Sequence, residues 1–275
     1  MSAPAALFNG EAAPDLAFHR GLNYGDGVFR TCLIYNEQII DIEEQCELLF
    51  SDSARLGLRP VPLESLQQEA SRMAPGQSRA VLKMTLLRAG TARGYRSEGA
   101  GTDRLLCRYP APAYPGAAWD CGVNVVRSTF RLATQPALAG IKHLNRLEQV
   151  LASRDWPEGT DEVLLGDEAG RPVCGTRTNL FWVHGAALHT PALDRCGVSG
   201  LTRRKVLALA NSLQLPVRVC DGTWDEVESS DEVFLTNSLV GIWPVARLGS
   251  RSLQAPGPVT QRLLDRLAHP RLVNA

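Results

Sequence analysis

The stretch GIKHLNRLEQVL, residues 140–151, holds Lys142, one of only three lysines in a chain of 275 residues. An amine becomes a nucleophile or a proton carrier when desolvation or a nearby cation brings its pKa from ~10.4 toward neutrality. Ile141, Leu144, Leu147, Val150 and Leu151 recur at helical spacing, which predicts a helix, or a helical turn entered from a loop. Lys142 then lies one step off the buried stripe. It is either a solvated surface lysine or an amine aimed into a pocket.

Three further stretches have residue types that bind anions. In DRCGVSGLTRRKVL (194–207) a Gly-rich turn leads through Gly200 into a helix beginning at Leu201 or Thr202. Free amides at a helix start, with the Thr202 hydroxyl, suit a phosphate or carboxylate, though ordinary N-capping explains the pattern nearly as well. In TNSLVGIWPV (236–245), Asn237 and Ser238 either contact an anion or close a turn. In LRAGTARGYRSEGAG (87–101), Arg88, Arg93 and Arg96 alternate with glycines around Tyr95; guanidinium forks match carboxylates, and the alternative is a flexible hairpin tip. A fourth stretch, RGLNYGDGVFRT (20–31), places Gly25 and Gly27 around Asp26 as a tight turn entering a strand.

The elements that must position these groups are mixed α and β. Strands are expected in 28–42 around a turn at Asn36–Glu37, then at 80–90 and 103–112 flanking a Gly-rich loop, and at 123–128, 161–166, 179–184, 187–190, 217–222 and 231–237. Helices are expected at 43–56, 64–74, 202–213 and 258–268. The turn-rich YPGAAWDCG (114–122) predicts a boundary between a smaller lobe, 1–115, and a larger one, 120–275. Acidic and basic residues number 29 each, which gives no sign of a nucleic-acid or polybasic membrane surface. Seven dispersed cysteines with no CxxC or Cys/His spacing exclude a zinc motif and suit a reducing cytoplasm. The opening residues lack the basic start of a signal peptide, and no apolar run approaches the roughly 20 residues that span a bilayer. No GxSxG, P-loop or dinucleotide fingerprint is present.

In order, YGDGVF, RAGTARGY, AGIKHLNRLEQVL, TNLFWV, GVSGLTR and TNSLVGIWPV cover Tyr24 to Val245. Together they resemble the class IV aminotransferase family, fold type IV of the pyridoxal-phosphate enzymes, and within it the lyase branch. The resemblance implies a two-lobed fold with its site between the lobes, within a homodimer. It implies pyruvate elimination from 4-amino-4-deoxychorismate to give 4-aminobenzoate, a folate precursor. It assigns Lys142 to covalent attachment of pyridoxal 5'-phosphate and to proton transfer. Gly200, Leu201, Thr202 and Ser238 fall to the cofactor's phosphate, and Tyr24, Arg88, Arg93 and Tyr95 to the substrate side. No metal is implied.

Two positions depart from the family pattern. Where it places a phosphate-binding arginine this chain has Leu48, and where it places a glutamate for the pyridine nitrogen this chain has Cys174. A charge-assisted contact of that kind contributes roughly 1.5–3 kcal/mol, so its loss weakens binding roughly tenfold to a hundredfold or more. These departures put retention of the cofactor in question and keep two other readings open. One is a cofactor-independent chorismate pyruvate-lyase giving a hydroxybenzoate, with Lys142 as general acid or base. The other is a non-catalytic relative that binds a ligand or partner.

Overall fold

Residues 5–97, 101–154 and 156–273 are described by a computed structural model. They form two units, residues 1–112 with 141–145, and residues 113–140 with 146–275. Among the described residues no helix is long and apolar enough to cross a membrane.

The first unit is built on β1 (Ala6–Phe8), β2 (Glu11–Ala12), α1 (Arg20–Tyr24), β3 (Gly27–Tyr35), β4 (Gln38–Ile39), α2 (Ile42–Arg55), α3 (Leu63–Ser71), β5 (Arg79–Arg88) and β6 (Thr102–Pro110). Its six strands form one antiparallel sheet in the order β2-β1-β6-β5-β3-β4. Asn36 and Glu37 both take positive φ, 47° and 63°, as a two-residue hairpin turn between twisted strands requires. Strand alternation sorts the faces. Val28, Cys32 and Ile34 of β3 and Leu82, Met84 and Leu86 of β5 pack with Cys46 and Leu49 of α2 and Leu66 and Ala70 of α3. Phe29, Thr31, Lys83 and Thr85 therefore lie on the opposite face.

The second unit contains α4 (Ala117–Asp120), β7 (Val123–Leu132), α5 (Leu147–Ala152), β8 (Glu162–Asp167), β9 (Pro172–Gly175), β10 (Asn179–His184), β11 (Ala187–Pro191), α6 (Leu201–Ser212), β12 (Val217–Cys220), α7 (Trp224–Ser229), β13 (Glu232–Asn237), β14 (Gly241–Leu248), β15 (Arg251–Ser252) and α8 (Pro258–Leu264). The pairings run β10-β13-β14-β7-β8-β9 and return through Asn179 and Cys174 to β10, closing six strands into a barrel. Val206 and Ala210 of α6 and Leu263 of α8 pack with Phe181 of β10 and Phe234 of β13. The strand β14 was not foreseen: Pro244 ordinarily argues against an interior strand, and GIWPV is a continuous buried apolar run without alternation.

One expectation is overturned. The helix foreseen over 140–151 is confined to Leu147–Ala152. Residues 141–144 instead run extended beside β3: the Phe29 amide donates to the Lys142 carbonyl (2.9 Å), and the Leu144 amide to the Gly27 carbonyl (3.0 Å). The apolar spacing misled because its members have different fates. Ile141 is buried in the first unit's core, whereas Leu147, Val150 and Leu151 are exposed.

Candidate active site

Lys142 sits on this segment, which is bridged to β3 through Val28 and His143 and is not a helix. Its carbonyl is held by Phe29 and its amide donates to Asp52 Oδ2 of α2 (3.1 Å), so both sides of its backbone are fixed. Its Nζ lies 4.7 Å from the centroid of the Phe29 ring, within cation–π range. The side chain is half-buried.

Arg30, which the sequence left without an assignable partner, is 2% exposed on the core side of β3. It donates to the same Asp52 Oδ2 at 2.6 Å. Burial is the larger influence on each group. It raises the Asp52 carboxyl and lowers the Arg30 guanidinium, against their mutual attraction. One carboxylate thus ties an arginine of β3 to the backbone of Lys142. Leu48 lies one helical turn before Asp52 on α2, so this chain carries a buried ion pair beside the position where the resemblance implies an arginine.

The residues assigned to the substrate side fall into two groups. Arg88 donates to Asp26 (3.0 Å) and to the carbonyls of Leu56 and Gly57; its guanidinium is used within the unit. The Tyr24 hydroxyl accepts the Gly94 amide (2.9 Å). Arg20, not singled out from sequence, is the anchor of this loop. It pairs with Asp26, donates to the carbonyls of Ala92 and Gly94, and stacks over Tyr24. Arg93 and Tyr95 stand outward, the latter 91% exposed. Residues 98–100 of this stretch lie outside the described residues.

In the second unit, α6 begins at Gly200 with no side chain capping it. The amides at 201–203 precede the first intrahelical bond, which Arg204 makes to Gly200 (3.1 Å). The approach is tight. A Cβ on Gly200 would meet Asn179 Oδ1 at 2.4 Å, and Asn179 is fixed by donating to the Val198 carbonyl (2.7 Å). Asn179 pairs with Cys174 on one side and Thr236 on the other, so these three side chains share a face. The buried Thr236 Oγ1 has no hydrogen-bond partner among the described residues. Asn237 closes the β13–β14 turn by accepting the amides of Leu239 and Val240, leaving Ser238 half-exposed on that turn. Arg203 is turned inward onto Thr190 and the Pro191 carbonyl.

The fit to pyridoxal phosphate is uneven. An uncapped start of a twelve-residue helix and an orphaned threonine hydroxyl suit a phosphate. Cys174 offers no charge to a ring nitrogen: it packs among Leu165, Val173 and Leu132, and burial pushes its thiol up to about 12. Among the described residues no cluster of three His, Cys, Asp or Glu side chains can hold a metal.

The chain is similar to known proteins over nearly its whole length. The chain is 32% identical over 254 residues to the aminodeoxychorismate lyase of Vibrio harveyi, covering 90% of this chain and 93% of that one. It superposes on the crystal structure of 4-amino-4-deoxychorismate lyase from Pseudomonas aeruginosa with a TM-score of 0.90 and 37% identity, covering 95% and 97%. The branched-chain aminotransferase of Escherichia coli, at 22% identity and a TM-score of 0.82 over 96% of this chain and 93% of that one, shares the fold. A family model for amino-transferase class IV matches residues 27–248, and the chain belongs to that family.

Proposed function

We propose that this chain is a lyase that eliminates pyruvate from 4-amino-4-deoxychorismate to give 4-aminobenzoate. The observation that carries this reading is Lys142, fixed through its amide and carbonyl and presenting its amine against Phe29, in a chain alike over nine-tenths of its length to a lyase of that name.

Lys142 is the residue that attaches pyridoxal phosphate, and the amides of Leu201 and Thr202 after Gly200, with the Thr202 and Ser238 hydroxyls, hold its phosphate. When bound, the cofactor supplies an electron sink at the amine-bearing ring carbon. Lys142 accepts the proton on that carbon. The electrons of the broken C–H bond complete the aromatic ring, the C–O bond to the enolpyruvyl group breaks, and that group gains a proton and leaves as pyruvate. The aromatic product makes the elimination downhill. Because the Cys174 thiol is neutral, the ring nitrogen has no carboxylate partner there. Elimination tolerates this, since it stores less charge on the cofactor than transamination does. Arg93 and Tyr95, exposed on the 92–95 loop, are residues that the family resemblance assigns to the substrate.

A homodimer is part of the same proposal: α5 leaves Leu147, at 74% exposure, with Val150 and Leu151 open, an apolar patch that suits a second copy. A cytoplasmic location is supported by seven cysteines that are all free.

The test is pyruvate release from 4-amino-4-deoxychorismate by purified protein supplied with pyridoxal phosphate. The expected enzyme is yellow and bleaches on borohydride reduction, and Lys142→Ala lowers turnover by roughly a thousandfold or more. A colourless protein that releases pyruvate only from chorismate would instead establish the cofactor-independent reading. Turnover of neither substrate would leave a binding protein.

A further inference from the structure

Phe29 carries two amines. Besides Lys142, the Nζ of Lys83 lies 4.5 Å from the centroid of the same ring. The chain has 29 basic side chains, of which only three are lysines, and two of the three reach this one ring, Lys83 from β5 and Lys142 from the segment on the other flank of β3. Lys83 occupies the middle of β5, paired with Thr31 of β3 and Cys107 of β6, on the sheet face turned away from α2 and α3. Its side chain is half-buried, and among the described residues it forms no ion pair. A lysine lying over an aromatic ring is ordinarily just a stem on an apolar surface. Here the ammonium has no ion-pair partner among the described residues, and an anionic group seated beside it would supply the missing counter-charge.

Resting on the lyase reading, we propose that Lys83 is a substrate-positioning residue that grips a carboxylate of the substrate and holds the ring with its reactive C–H toward Lys142. The substrate of that reaction has two carboxylates, one on the ring and one on the enolpyruvyl group, so it needs a cation that an amino-acid substrate with one carboxylate does not. Three arginines near Phe29 and Lys83 are engaged within the unit: Arg20 and Arg88 on Asp26, Arg20 also on the 92–95 loop, and Arg30 on Asp52. Lys83 reaches the same ring as Lys142, and no carboxylate among the described residues pairs with it.

The experiment compares Lys83→Met and Lys83→Arg with wild type by pyruvate-release kinetics and by calorimetric titration with chorismate, which carries both carboxylates but no amine. Expected for Lys83→Met are a KM raised at least tenfold with kcat changed less than threefold, and chorismate binding weakened at least tenfold. Lys83→Arg recovers most of both, and the visible absorbance of bound pyridoxal phosphate is unchanged in each variant. Should Lys83→Met fail to fold by circular dichroism, Lys83→Gln replaces it. A KM and a chorismate affinity both within twofold of wild type overturn the proposal. If the wild type releases no pyruvate, the lyase reading fails, and the chorismate titration still decides the role of Lys83; a wild type that neither releases pyruvate nor binds chorismate overturns both.

Discussion

Asp52 serves two partners with one oxygen, the Arg30 guanidinium and the Lys142 amide. Asp52→Asn keeps the shape but leaves a buried guanidinium without its counter-charge, an expected loss of about 3–5 kcal/mol in urea unfolding. The double variant Arg30→Met with Asp52→Leu should regain most of that stability yet stay poorly active, because the Lys142 amide still lacks its acceptor. Wild-type activity in the double variant would remove Asp52 from the positioning of Lys142. The sequence displayed Lys142 and Arg30 but not Asp52, since a carboxylate 90 residues from Lys142 in the chain carries no local mark of its partner. The thiols make a separate case. Burial raises Cys46 to about 11 and Cys174 to about 12. A thiol so raised ionises only as pH approaches those values, and the thiolate is the reacting species. At pH 8 iodoacetamide should therefore label exposed Cys121 well before Cys46 or Cys174, whose labelling awaits denaturant. Mass spectrometry reads the order, and Cys174 labelling as fast as Cys121 would contradict it.

Among the elements, α6 was visible in sequence as a Gly-rich turn followed by helical spacing, and the structure adds why Gly200 is glycine. An alanine there must displace Asn179 and its bond to Val198. Gly200→Ala is expected to cost about 1–3 kcal/mol and to weaken pyridoxal-phosphate binding roughly tenfold in a spectroscopic titration. Unaltered affinity would mean that the start of α6 does not hold the phosphate. The 92–95 loop was legible only as alternating arginine and glycine. Which arginine acts on the loop and which faces outward follows from Asp26, which takes up Arg20 and Arg88 and leaves Arg93 exposed. The segment after Gly140 was misread because hydrophobic period alone cannot tell a helix from an extended run followed by an exposed turn of helix.

For the whole molecule, equal numbers of acidic and basic residues and a pI near 7.0 remove the net repulsion that keeps copies apart. Solubility should pass through a minimum near pH 7 and rise on either side; turbidity against pH at fixed concentration measures it, and a flat profile would count against the expectation. By itself the sequence determined the class of fold, the strands with clean alternation or β-branched runs, the helices with bounded amphipathic spacing, and the family, because each of these is written in short-range pattern. Only the tertiary structure decided that Lys142 lies on a segment bridged to β3, that Asp52 locks it, that Cys174 is an apolar filler, and that a second lysine shares Phe29. Those are facts of residues far apart in the chain. Strand pairing and burial bring them together, and neither leaves a trace in local spacing.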